Sequence, residues 1–454
     1  MRKMKMINIG VPESIPKDWT INKLKFLSSF GKGLSITKKD LKESGAPVIS
    51  YGQVHAKTNT GTSTTDELIR YVDGSFYKTS MQSVCPYQGF IFADTSEDMM
   101  GVGNCVYLTK SDLIFAGYHT LFLSSPSIHN PKYLAYLFKT DFWRYQLRTT
   151  VSGVKVYSIT KKMLKASKVL IPTPKEQDQI VSYLDAKCAL IDESISRQRQ
   201  VIERLEKYRE SIINTTVTKG LNSYINMKDS GTDLIGEIPQ NWTINKLKFL
   251  SSFGKGLSIT KKDLKESGVP VISYGQVHAK TNSGTSTTDD LIRYIDESFC
   301  KTSKQSICPQ YGFIFADTSE DILGVGNCVY LTNSNITFAG YHTLYLSRPS
   351  IHNPKYLAYL FKTDFWRYQL RTIVSGVKVY SITKRILKSA KVIIPTSEEQ
   401  DQIVSYLDHK CTLIDDAISR INAIIEKLAE YRKSIIYHAV TGKIDCRKEL
   451  TNVR

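Results

Sequence analysis

Two stretches of this chain repeat apolar residues in steps of four and three. In the first, Leu184, Cys188, Ile191, Ile195, Ile202 and Leu205 mark the stripe, with Gln198 as a polar interruption. In the second, Leu407, Cys411, Ile414, Ile418, Ile421, Ile425 and Leu428 continue without a break. Such spacing puts the marked residues on one helical face and makes a seam against another helix. No Gly or Pro interrupts 175–219 or 398–441. The pattern predicts two long helices, over 174–220 and 397–445, packed through matching seams.

Elsewhere the period changes. APVIS (46–50), GFIFA (89–93), GNCVYL (103–108) and TLFLS (120–124) are short apolar runs set between Gly, Asn, Ser and Thr turns, and they predict strands. PKYLAYLFKTDFWRYQLR (131–148) predicts a helix or two. Both kinds of stretch occur twice. Trp19 to Leu27 recurs as Trp242 to Leu250, and the same shift carries Tyr51 to Tyr274, His119 to His342, Trp143 to Trp366 and Tyr208 to Tyr431. That period far exceeds those of solenoid repeats, so each copy needs its own core.

The expected fold is therefore α+β. Two pseudo-symmetric globular domains, 1–173 and 238–396, are joined by the two long helices, with a polar linker at 221–237 and a tail at 446–454. The linker sets the helix direction. A helix of this length is a rod of roughly 65 Å at about 1.5 Å per residue. A parallel pair would need the linker to run back along it almost taut, at about 3.3 Å per residue. An antiparallel coiled coil is expected, with one globule at each end about a pseudo-two-fold axis.

Charge adds a partner. Lys and Arg number 61 against 43 Asp and Glu, a formal +18, and a folded protein so basic is expected to meet a polyanion. Spare surface lysines are the bland alternative. None of the eight cysteines forms a C-x-x-C pair, so no metal site is expected and the thiols read as buried and reduced. The first ten residues lack a long apolar core and no apolar run reaches membrane-spanning length, so a cytoplasmic protein with no membrane contact is expected. No phosphate-cradling G-x-x-x-x-G-K-[ST] loop occurs. Asn130-Pro131-Lys132-Tyr133 only superficially resembles the N-P-P-Y loop of adenine methyltransferases, and Asp94, Glu97 and Asp98 are weak evidence for a nuclease. No catalytic residue is expected.

Several segments resemble a known family. Glu176 to Asp185 and its copy Glu399 to Asp408 look like the opening of the conserved helical regions in Type I restriction–modification specificity subunits. So do Ile191-Asp192, Leu205 with Tyr208-Arg209, and Ala439 to Ile444. Ser152 to Lys155 and Ser375 to Lys378, each followed by a strand ending in Ile-Pro, resemble the close of that family's target-recognition domains. The likeness covers nearly the whole chain in the family's order. One departure is that Lys219-Gly220 stands where the second copy has Gly442-Lys443. The resemblance implies two target-recognition domains that each read half of a split site on double-stranded DNA. It implies helices that space them and dock two modification (methyltransferase) subunits, and restriction subunits beyond those. S-adenosylmethionine, ATP and Mg would act on the partner subunits, none on this chain.

For such a protein, Lys and Arg supply affinity at phosphates, and side chains at base edges supply specificity. Tyr51, Gln53, His55, Lys57 and Asn59 form the densest polar stretch with base-reading chemistry, repeated as Tyr274, Gln276, His278, Lys280 and Asn282. The rival reading is an ordinary polar loop. Lys155, Tyr157, Lys161 and Lys162, with Lys378, Tyr380, Lys384 and Arg385, are phosphate candidates. For the last pair in each set a solvated helix start is the alternative, because Ser158 and Thr160 look like caps. His119 and His342, in apolar surroundings, read as satisfied core histidines. Both copies of the base-reading stretch are identical through Asn59. The expected target is thus a near-palindromic bipartite site. Two other classes stay open: an adaptor that touches DNA without sequence preference, and an enzyme with an unfamiliar nuclease site.

Overall fold

The computed structural model describes residues 3–8, 12–151, 153, 155–222, 224–333, 335–374 and 379–446. It divides into two compact units, residues 1–198 with 423–454, and residues 199–422. Each unit holds one lobe, the first part of the long helix that follows that lobe, and the last part of the other long helix.

In the first lobe the apolar runs become two four-stranded sheets. One is antiparallel, in the order Cys105–Tyr107, Phe90–Ala93, Thr120–Leu123, Phe30–Lys32. The other runs Arg70–Val72, Ala46–Ile49, Ile114–Ala116, Val84–Cys85, with its central pair parallel. Thr20–Lys23 pairs with Lys168–Ile171, so the first strand of the repeat is closed by its last. The aromatic-rich stretch forms two helices, Lys132–Phe138 and Asp141–Arg148, the second capped by Thr140. Trp143, fully buried, lies 4.3 Å from Phe138 and 6.0 Å from Phe92, ring centre to ring centre. Each strand pairing recurs in the second lobe 223 residues later.

The long helices span Pro174–Lys219 and Ser397–Val440. They are antiparallel. In the first unit Ile180, Leu184 and Cys188 of the first helix share a core with Ile435, Ile436 and Ala439 of the second, and Arg432 pairs with Asp192 at 2.8 Å. In the second unit Ile213 and Val217 share a core with Ile403, Val404 and Leu407, and Arg209 pairs with Asp415. Early residues of each helix therefore meet late residues of the other. Leu184, Cys188, Ile191, Leu407 and Ile414 are buried. Ile195, Ile202, Leu205, Cys411, Ile418, Ile421, Ile425 and Leu428 are half-buried, as is Gln198, which keeps the interval.

Each lobe grips both helices with polar groups. Glu176 Oε2 accepts from the indole of buried Trp19 at 3.0 Å and from Thr173 Oγ1 at 2.9 Å. Gln177 donates to Pro172 O at 3.0 Å and accepts from Asn130 N at 2.9 Å. The other helix is held at its end, where terminal carbonyls lack helical partners: Tyr133 OH donates to Val440 O, and Tyr356 OH to Val217 O, both at 3.0 Å. Burial pushes both phenols far above their usual range. Tyr133→Phe leaves a buried carbonyl unpaired and is expected to destabilise its unit by about 1–3 kcal/mol. Urea unfolding measures this, and a loss within error of zero would mean that the tie contributes nothing.

Two expectations need correction. The stretch read as a polar linker contains a hairpin, Met227–Asp229 with Glu237–Pro239. Its counterpart, Met4–Asn8 with Pro12–Pro16, precedes the first lobe, and Met4 opposite Pro16 matches Met227 opposite Pro239. Strands of three residues carry too little alternation to be visible as a pattern. His119 and His342 are not core residues: their side chains are 61% and 64% exposed.

Candidate nucleic-acid interface

The strand Ala46–Ile49 runs into a one-turn helix, Tyr51–Val54, which carries the first of the base-reading candidates. Ser50 N donates to Gln53 Oε1 at 3.2 Å, fixing the turn and leaving the Gln53 amide nitrogen available. His55 is held at both nitrogens. Nε2–H donates to Thr95 O at 2.8 Å, and Nδ1 accepts from Asn104 at 3.2 Å, which selects the neutral Nε2–H tautomer. Asn59 donates to Val54 O at 2.7 Å and Cys105 O at 3.0 Å, and accepts from Gly61 N at 2.8 Å. Both its amide protons are occupied inside the lobe. Lys57 is exposed and Tyr51 half-buried.

The turn Gly117–Thr120 crosses the start of this helix. Tyr118 O accepts from Tyr51 N at 3.2 Å. Gly117 packs so closely that a Cβ there would stand 2.0 Å from Ser50 Oγ, so only glycine fits. The turn places His119 at φ 51°, in the left-handed region. Its ring sits 5.7 Å from the Tyr51 ring, with Nδ1 3.5 Å from Asp94 Oδ1. Tyr118 also lies 5.7 Å from Tyr51, and burial, then Tyr51, raises its phenol pKa.

The phosphate candidates approach from the other side. Tyr157 lies in the strand Tyr157–Ser158, paired with Thr95–Ser96, and Ile159 N donates to Asp94 O at 2.8 Å. Tyr157 and His55 thus flank the same two-residue strand. Lys155 is exposed in the preceding bend. Lys161 and Lys162 open the helix Lys161–Ala166, both exposed, and Thr160 caps it by accepting from Met163 N at 3.3 Å. His55 and Tyr157 meet at Thr95–Ser96, and Tyr51 packs between His55 and His119; Asn59 faces inward, and Lys161 and Lys162 stand on a separate element.

The second lobe repeats this. His278 donates to Thr318 O at 3.0 Å and accepts from Asn327 at 3.2 Å. Asn282 bonds Val277 O, Cys328 O and Gly284 N at 2.8, 3.0 and 2.9 Å. Gln276 accepts from Ser273 N at 3.2 Å, and Lys280 is exposed. Tyr274 differs: its OH donates to Glu320 at 3.4 Å, and burial followed by that carboxylate raises its pKa. Tyr380 pairs opposite Ser319. Lys384, Arg385 and Lys388 line a cleft of about 410 Å³ with Lys246 and Lys248. Lys378 lies outside the described residues, as do Ser152, Val154 and Ser375 to Val377 of the resemblance.

The histidine turn was missed because in sequence its neighbours look like strand interior. A Gly-Tyr-His-Thr break between two apolar runs was the available signal.

Two lobes with matching polar faces, each continued by a long helix, also match a known family in sequence. The model of the Type I restriction modification DNA specificity domain fits residues 16–204 and again residues 239–428. The chain belongs to this family. It is a Type I restriction–modification specificity subunit, the non-catalytic component, rather than a general adaptor or a nuclease. Each match spans one lobe and more than half of the helix that follows it. The chain is 24% identical to the putative type I restriction enzyme MjaX specificity subunit of Methanocaldococcus jannaschii, over 95% of this chain and 94% of that one. It is 21% identical to the EcoKI specificity subunit of Escherichia coli K12, over 96% and 92%. A solved chain from work on assembly and conformational transition of the type I R-M system superposes with a TM-score of 0.69 at 15% identity. That match covers 95% of this specificity subunit and 99% of the solved chain. Among the described residues no helix is long and apolar enough to cross a membrane, and no cluster of His, Cys, Asp and Glu is arranged to hold a metal ion.

Proposed function

We propose that this specificity subunit reads a bipartite DNA site whose halves carry the same short sequence in inverted orientation, and holds it for two modification subunits and for restriction subunits. The observation that carries the reading is the sequence identity of the two candidate segments. Tyr51 to Asn59 equals Tyr274 to Asn282 residue for residue, and the hydrogen bonds that set Gln53, His55 and Asn59 recur at Gln276, His278 and Asn282. Equal donors in equal frames select equal bases. Inversion is supported by the helices: exchanging the two copies exchanges two antiparallel partners, which reverses direction. Tyr51, Gln53 and Lys57, with their twins, are the base-reading groups of this proposal. Lys155, Tyr157, Lys161, Lys162, Tyr380, Lys384 and Arg385 serve the phosphates. S-adenosylmethionine, ATP and Mg act on the partner subunits.

Co-expression with the cognate modification subunit, followed by genome-wide mapping of modified adenines, tests this. The expected motif is an inverted repeat around an unspecified spacer. Two unrelated half-sites would refute it.

A further inference from the structure

Where the first lobe meets the end of the second long helix lies a cavity of about 490 Å³, lined by Lys139, Arg144, Arg148 and Lys433 together with Phe142 and Tyr145. A second cavity of about 360 Å³ shares Lys139, Arg144 and Lys433 with it and adds Arg432. Few of these charges are neutralised. Arg148 pairs with Asp141 at 2.7 Å and Arg432 with Asp192 at 2.8 Å, yet the Nε of each is buried without a partner. Among the described residues Lys139 reaches only Thr60 O at 2.5 Å, and Arg144 only Phe138 O at 2.8 Å and Met100 O at 3.3 Å. Lys433 has no carboxylate partner among the described residues. Glu13, buried in the cavity lining, is taken by Lys443 at 2.9 Å and by Tyr437. The cations therefore repel one another. Burial, and then Arg432, pushes the Lys139 ammonium down to about 8.

The second unit supplies an internal comparison. Its corresponding cavity, about 560 Å³, has the same cationic floor in Lys362, Arg367, Arg371 and Arg209. The helix above it differs. Where the first unit has Ala429 and Lys433, the second has Glu206 and Glu210; where it has Tyr437, the second has Asn214, bonded to Asp364 at 2.8 and 3.0 Å. The helix thus contributes two carboxylates to the lining of the second cavity and none at the same positions in the first unit, where Glu13 and Asp141 are the lining carboxylates.

We propose that the first unit's cavity binds a nucleotide-sized phosphate ester, with the phosphate on Lys139, Arg144 and Lys433 and the base against Tyr145, and that the second unit's cavity does not. The volume is that of a small-ligand site. Ammonium and guanidinium groups make their strongest hydrogen bonds to phosphate oxygens, and an exposed tyrosine ring offers a face for stacking. The proposal is independent of how the two lobes read DNA.

Titration calorimetry of the purified full chain with 5′-AMP tests it. One site per chain is expected, with inorganic phosphate competing. Lys433→Glu should weaken binding by at least about tenfold, the loss of one charge-assisted contact plus a new repulsion. Glu206→Ala with Glu210→Lys should open a second site. Lys433, Glu206 and Glu210 are exposed, so thermal unfolding should stay unchanged and report intact folding. Preference for the specific duplex should also survive Lys433→Glu. The proposal is overturned by an absence of AMP binding, by two sites in the unaltered chain, by unchanged affinity in Lys433→Glu, or by loss of duplex preference in that variant, which would assign the cations to the DNA path.

Discussion

Alanine at Tyr51, Gln53 and Lys57 together is expected to lower the preference for the recognition site over random duplex by about 10²- to 10⁴-fold. Tyr51 and Gln53 are each only half-buried. Gln53 offers its amide nitrogen, because only its oxygen is engaged by Ser50 N. Lys57 is exposed. Tyr51 is packed among Tyr118, His119 and His55 at 5.7, 5.7 and 6.2 Å, so its ring is held in one orientation. Each lost base contact costs about 1–3 kcal/mol of discrimination. Binding to random DNA should weaken far less, since phosphate contacts carry it, and removing Lys57 lowers the salt slope by about one ion at most. The triple at Tyr274, Gln276 and Lys280 should also lower the preference, with a smaller share from Tyr274, whose hydroxyl is engaged by Glu320. Competition titrations at fixed salt measure both. Equal weakening on specific and random DNA would show that these side chains touch only the backbone.

Glu176→Ala is the largest stability change expected from a single polar residue, about 3–5 kcal/mol. The residue is 9% exposed, and its carboxylate accepts from the Trp19 indole and the Thr173 hydroxyl. Trp19 is itself wholly buried and stacks edge-on against Tyr133 at 6.4 Å. One acidic side chain therefore couples the first residues of the repeat to the first turn of its helix, while Tyr133 carries the connection on to Val440. Removing it deletes both hydrogen bonds and leaves a cavity at the junction of lobe and helix. Glu399→Ala should cost a similar amount, because Trp242 and Thr396 bond it at 2.9 and 2.7 Å. The two losses should add, since each lies within its own unit. Denaturant unfolding of the single and double variants provides the numbers; a cost under about 1 kcal/mol would mean that packing alone holds lobe to helix.

The repeat, the two long helices and their antiparallel sense were legible in the sequence because each is written in spacing: a constant offset, a seven-residue seam and a short connection. The hairpins Met4–Asn8/Pro12–Pro16 and Met227–Asp229/Glu237–Pro239 were not, because strands of five and three residues are too short to show a clear period. The site was legible only as a segment. Which of its side chains face outward depends on partners far along the chain: Asn59 turns inward because Cys105 O lies within reach, and His55 is fixed by Thr95 and Asn104. His119 looked like core because its neighbours in sequence are apolar. Its exposure comes from one left-handed residue at a turn, a conformation that composition does not announce. The contrast between Lys433 and Glu210 was present in the sequence, but it acquired meaning only when each helix end was found against a lobe's cationic cavity.

The claim that the lobes are interchangeable readers has one direct test. Residues 239–396 are replaced by a second copy of residues 16–173, the chain is expressed with its modification subunit, and the modified motif is mapped. Both half-sites should remain as they were. A motif that changes in one half would contradict the account, because the two faces would then have been reading different sequences from the start.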